Sequence, residues 1–282
     1  MSDLELRQAL FDYRLELVLW VLGSILLYGL GVNVAERLRR TSSGRLGRCV
    51  AAVRGWPYSP WLSQALRFVY YLGIPYLALA QGITSPVLMG MWGRTWFQPG
   101  WYGEPAFGFA LGLAALLLIL WGWHRFLLIT AGLDESTRWR PYAFQRRVLA
   151  APWGWGLIVL DVLYLEMHWA FYRSAAIRSL GDYYGVFVGF LLILAEWGLD
   201  PRTRHDLNMA RRDAETVTTM AIAFAISIVY YFTANVWLCM VVHLLMQFGL
   251  LAFVAMSRGL VDNEGKDDQD GEQRGCDDRY PL

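Results

Sequence analysis

Asn235-Val-Trp-Leu-Cys239-Met-Val-Val-His243-Leu-Leu-Met-Gln247-Phe-Gly-Leu-Leu-Ala-Phe-Val-Ala-Met256 is an apolar stretch whose one ionisable group of consequence is a histidine. At about 1.5 Å of rise per residue, such a helix is long enough to cross a hydrocarbon core of about 30 Å. An imidazole at that depth is costly unless it faces a partner or a cavity, which marks His243 as a candidate functional residue. Six further apolar runs precede it, at 17–35, 68–91, 105–133, 152–172, 181–199 and 217–232. Two of them are marginal, so the runs predict six to eight crossings, with seven fitting best.

Composition agrees with that reading. Hydrophobic residues make up 56% of the chain and charged residues only 17%, which excludes an ordinary soluble domain of 282 residues. Strands of alternating polarity are absent from the sequence, so an outer-membrane barrel is not expected. The expectation is an all-α integral membrane protein, a bundle of about seven transmembrane helices. One polytopic domain covers residues 1–262, and an acidic tail at 263–282 is expected to be disordered and cytoplasmic. The first span lacks a short apolar core followed by a cleavage site, so it reads as a retained helix. Cys49, Cys239 and Cys276 are too few and too scattered for a disulfide framework or a thiolate metal cluster.

Basic residues alternate between successive loops. Eighteen fall on one side, including Arg37, Arg39, Arg40, Arg146, Arg147, Arg202 and Arg204, against five on the other. The positive-inside rule then puts the N-terminus outside and the C-terminus in the cytoplasm. Lys266 is the only lysine; this arginine bias hints at a GC-rich bacterial genome, hence a multi-pass protein of a bacterial inner (plasma) membrane. Membrane lipid is the expected partner. The arginines flank spans, where orientation and anionic headgroups account for them, so no nucleic acid is expected.

The fourth span is the most loaded with polar groups: Asp161, Tyr164, Glu166, His168, Tyr172 and Arg173. Helical geometry puts Asp161 and His168, seven apart, on one face. Glu166 lies about 160° from His168, on a second face with Trp169 and Arg173. Arg173, at i+7, is therefore its expected partner, unless another helix supplies one. On the seventh span Cys239, His243 and Gln247 form a stripe. A contact group of Asp161, Tyr164, His168, His243 and Gln247 is geometrically allowed. His124, Arg125 and Glu196 form a second polar level, with an Arg125–Glu196 bridge as the expectation.

Two segments resemble motifs of the CPBP family, the CAAX-prenyl-protease-like membrane proteins also called the ABI family. Trp169-Ala-Phe171-Tyr-Arg173 is similar to the second half of that family's Glu-Glu-x-x-x-Arg helix motif. Thr233-Ala-Asn235-Val-Trp237, leading to His243 and then Gln247, is similar to its closing motif. The resemblance covers roughly 152–256. It implies an intramembrane endopeptidase in which a glutamate activates water while histidine and an amide stabilise the oxyanion. It also implies a transmembrane or lipidated peptide as substrate.

The chain departs from the family pattern. Counting back from Arg173, the family's glutamate position holds His168, and the fifth span has no histidine. The candidate catalytic residues are accordingly Glu166, His168, Arg173, His243, Gln247 and Asp161, in a site either rebuilt or degenerate. No cofactor is firmly implied. A divalent metal held by His168 and His243 with Asp161 stays open, although no His-Glu-x-x-His spacing signals one. The alternatives are a non-catalytic scaffold that binds a partner helix or lipidated peptide, and haem between the two histidines.

Overall fold

In the computed structural model the described residues are 3–40, 44–56, 59–92, 103–130, 142–208 and 213–277, with side chains before Leu15, beyond Ser257 and at several positions of 44–63 outside that set. Among them every regular element is helical: α1 (Asp3–Arg40), α2 (Gly44–Gly55), α3 (Ser59–Phe68), a π-turn (Val69–Gly73), α4 (Ile74–Ala80), α5 (Gly103–Thr130), α6 (Ala143–Leu149), α7 (Gly154–Gly198), α8 (Pro201–Leu207), α9 (Asp213–Thr233) and α10 (Val236–Asp277). This is an all-α, multi-pass membrane architecture. Among the described residues five helices are long and apolar enough to cross a bilayer, fewer than the seven expected.

The shortfall has two physical sources. At 45 residues, α7 is about twice the length one crossing needs. It breaks at Gly181, where φ is +80°, a conformation open to glycine because it has no Cβ. The chain then doubles back: a methyl group on Gly189 would sit 2.9 Å from Arg173 Cα, and one on Gly185 would collide with the backbone of Ile177. The first limb (154–180) and the second limb (182–198) therefore lie side by side as a hairpin. The other source is α3, the π-turn and α4, which together run unbroken from Ser59 to Ala80. Pro75 has no N–H and its ring crowds the preceding turn, which the widened π-turn relieves.

That helical segment is displaced from the expected run at 68–91. It starts earlier and ends at Ala80, because Gly82 and Pro86 stop the helix and begin a compact turn segment. The segment covers the α9–α10 connection. Gly90 O accepts from Val236 N at 2.9 Å and Met91 O from Trp237 Nε1 at 2.8 Å. Gly90 has φ +69°, and a side chain there would meet Ala234 O at 2.7 Å.

Two apolar clusters hold the bundle together. One joins α5, α9 and α10 around Leu116, Ile226, Val242, Met246 and Leu250. Its close approach depends on Gly108 and Gly112, four apart on α5, which face Thr233 and Val242. Small residues at such spacing let transmembrane backbones meet where lipid supplies no hydrophobic drive. The other cluster joins α1, α4 and α7 around Val21, Ala78, Trp169, Phe171 and Ile193. Beyond the apolar part of α10 the backbone stays helical to Asp277, through the stretch read as a disordered tail.

Candidate functional site

Glu166 and Arg173 are seven residues apart on the first limb of α7, so they share a face two turns apart. Arg173 Nη2 donates to Glu166 Oε2 at 3.1 Å, and both side chains are fully buried. The sequence-derived pairing of these two residues therefore holds. The third member comes from α10: His243 Nδ1 lies 2.8 Å from Glu166 Oε1. In the tautomer that carries its hydrogen on Nδ1, the imidazole donates to this carboxylate. In that tautomer Nε2 of His243 is the ring nitrogen with acceptor character.

Neighbouring side chains hold the three in place. The indole of Trp169 stacks on the His243 ring at 5.4 Å between centroids and 13° between planes. Tyr230 of α9 lies against the Arg173 guanidinium at 4.4 Å, a cation–π contact to a group whose Nε and Nη1 lack hydrogen-bond partners. Gly189 on the second limb lets that limb approach Arg173 closely. Both limbs of α7, with α9 and α10, thus close around one buried carboxylate. Trp169 and Tyr230 were absent from the sequence-derived candidates; helical spacing had put Trp169 on the Glu166 face, and nothing local points to Tyr230.

The contact group that the sequence allowed does not form. Asp161 pairs with Arg67 of α3 at 2.8 Å and is only partly buried. His168 points away from His243: its Nε2 lies 3.4 Å from Glu196 Oε2 on the second limb, and Tyr70, Tyr71 and Tyr172 surround its ring. The reason is the face separation itself, since α10 packs on the Glu166 face while the π-turn and α1 pack on the other. Tyr164 is buried and stacks on Tyr71. Gln247 is half-buried, one turn beyond His243 and outside the hydrogen-bonded set.

The expected Arg125–Glu196 bridge is likewise replaced. Arg125 is exposed on α5, which packs on α9 and α10. Glu196 instead accepts from Tyr70 Oη at 3.1 Å, in a network with Tyr172 and Ser24. The partners in this second polar centre, which lies between the two limbs of α7, α1 and the π-turn, were not foreseen, because Ser24 and Tyr70 lie on elements far away in sequence.

A metal does not fit these residues. Among the described residues no three histidine, cysteine or acidic side chains converge as ligands, and the two histidines that were candidates belong to different clusters. The same separation removes the haem reading.

The closing-motif residues have structural work to do. Asn235 Oδ1 accepts from Leu238 N at 3.1 Å and caps α10, while Thr233 Oγ1 donates to Val229 O at the end of α9. Trp237 anchors the covering segment. Comparison with protein-family models, with curated proteins and with solved structures finds no match for this chain.

Proposed function

We propose that the chain is an intramembrane peptide hydrolase of CPBP type, rebuilt around the Glu166–His243 pair. The observation that carries the reading is the 2.8 Å contact between these two side chains at membrane depth. In this scheme Glu166 fixes the imidazole by its Nδ1 hydrogen, and Arg173 holds the Glu166 carboxylate in place. His243 Nε2 then takes a proton from water as the water oxygen bonds to the scissile carbonyl carbon. It returns that proton to the amine as the C–N bond breaks. Glu166 is thus a positioning residue, a departure from the family pattern in which the glutamate is itself the base. The substrate class is a transmembrane or lipidated peptide.

One observation favours a second reading, a non-catalytic scaffold. Glu166 and Arg173 have no exposed surface, and both carboxylate oxygens are already engaged. There the cluster would only tie α7 to α10. Mass spectrometry of prenylated and unprenylated transmembrane peptides incubated with the protein in nanodiscs separates the two. Hydrolysis is expected in wild type and should fall by about 10²–10⁴-fold in His243→Ala. Asp161→Asn and His168→Gln should keep it, since neither side chain touches the pair. Wild type inert on the whole panel, or cleavage that survives His243→Ala, would leave the scaffold reading.

The same proposal places the protein in a bacterial inner membrane with its arginine-rich end in the cytoplasm. Alkaline phosphatase fused at the Gly181 turn should be active, and fused after Leu207 inactive. The reverse pattern would invert the topology.

A further inference from the structure

A cavity of about 250 Å³, unrelated to the Glu166 cluster, lies at the arginine-rich end between the last turns of α1 and helix α8. One water needs only about 10–15 Å³ of comparable space, so a polyatomic ion has room there. Arg39, Arg40, Arg202 and His205 line it, with Glu36 and Asp206. Its walls are held in place. Asn33 Nδ2 donates to Gly29 O at 2.7 Å and to Leu199 O at 3.1 Å, which ties α1 to the corner before α8. Asp200 Oδ1 accepts from Arg202 N at 2.9 Å and caps α8.

The arginines are gathered on one carboxylate. Glu36, buried on α1, accepts from Arg39 Nε at 2.9 Å and from Arg39 Nη2 at 3.0 Å, a bidentate fork. Arg40 Nε donates to Glu36 Oε1 at 2.8 Å. Arg202 Nε comes to 3.8 Å of Oε2, close enough to feel the charge and beyond hydrogen-bond reach. Three guanidiniums therefore crowd one carboxylate, and with Asp206 counted three fixed positive charges still face two negative ones. Like charges held so close repel, and a further anion between them offsets that cost. Membrane orientation needs only a surplus of basic residues at this end; it does not require them to converge.

We propose that this cavity is a phosphate-binding site, with Arg40 and Arg202 as the groups that grip the anion and Glu36 as the residue that positions them. Planar guanidiniums match phosphate oxygens two donors to two acceptors. The phosphate can belong to an anionic lipid headgroup, as in other basic pockets between transmembrane helices, or be free in solution.

Titration calorimetry of the full chain in maltoside micelles tests the free form, with inorganic phosphate as probe against chloride at equal ionic strength. The headgroup arm is native mass spectrometry of lipid retained from nanodiscs of equal parts phosphatidylglycerol and phosphatidylcholine. A free-phosphate site gives saturable binding of phosphate over chloride. A headgroup site gives selective retention of phosphatidylglycerol. In either arm Arg40→Gln and Arg202→Gln should each weaken the preference about tenfold or more, since each removes a charged hydrogen-bond donor. Both side chains are largely exposed, at 75% and 60%, so neither substitution threatens the fold. Arg204→Gln is the control, exposed on the same helix and outside the cavity lining, and it should leave the preference unchanged. No preference in either arm, one that survives both cavity variants, or a loss as large in Arg204→Gln as in Arg202→Gln overturns the proposal.

Discussion

Arg173→Met should lower the stability of the folded protein by about 3–5 kcal/mol, read as the shift of a reversible detergent-unfolding curve in lipid bicelles. The substitution preserves much of the side-chain volume and removes only the charge and its donors. What remains is the Glu166 carboxylate, fully buried, with His243 as its one partner. An uncompensated ion in this setting costs far more than the pair contributed, so the effect is asymmetric. Adding Glu166→Gln to Arg173→Met should recover a large part of the loss, because two uncharged groups replace two charged ones. A single-variant loss below about 1 kcal/mol would place the pair in the class of solvent-screened ion pairs and contradict its burial.

The second large effect is at the hairpin. Gly185→Ala should destabilise at or beyond the upper end of the about 1–3 kcal/mol typical of overpacking, because the added methyl meets the backbone of Ile177. Backbone, unlike a flexible side chain, can yield only if the two limbs of α7 separate. Separation would also withdraw Gly189 from Arg173 and open the floor of the ion-pair cluster. Gly198→Ala at the end of the same helix is the control, since nothing lies within 4 Å of its added methyl. There the change should be within about 0.5 kcal/mol. Cys239, fully buried on α10, gives a second readout. With Cys49 and Cys276 replaced by serine, maleimide should label it slowly in wild type and faster in Gly185→Ala. Equal stability of the two alanine variants would mean that the limbs do not touch at 185.

Much of the architecture was legible along the chain. Apolar runs of bilayer length marked the crossings, and Gly181 fell at the start of one of them, where the hairpin turns. The fourth and fifth runs appeared as separate spans, and they are two helical limbs that meet at Gly181. The π-turn escaped notice because nothing in Val69-Tyr-Tyr-Leu-Gly73 distinguishes it from ordinary helix; only Pro75 beyond it supplies the cause.

The candidate site was half legible, for a geometric reason. Within one helix, periodicity of about 3.6 residues decides which side chains share a face, so Glu166 with Arg173, and both apart from His168, followed from spacing alone. Between helices there is no such rule. His243 was grouped with Asp161 and His168 by depth, and depth is shared by every face of the opposing helix. Which face of α7 met α10 was decided by shape: Gly189 admitting the second limb behind Arg173, Trp169 stacking on the imidazole, and Tyr230 closing the guanidinium side. Local periodicity therefore determined the helices and the pairings inside them. Tertiary contacts determined that Glu166 received His243 while His168 went to Glu196, because rotation about a helix axis is set by packing against its neighbours.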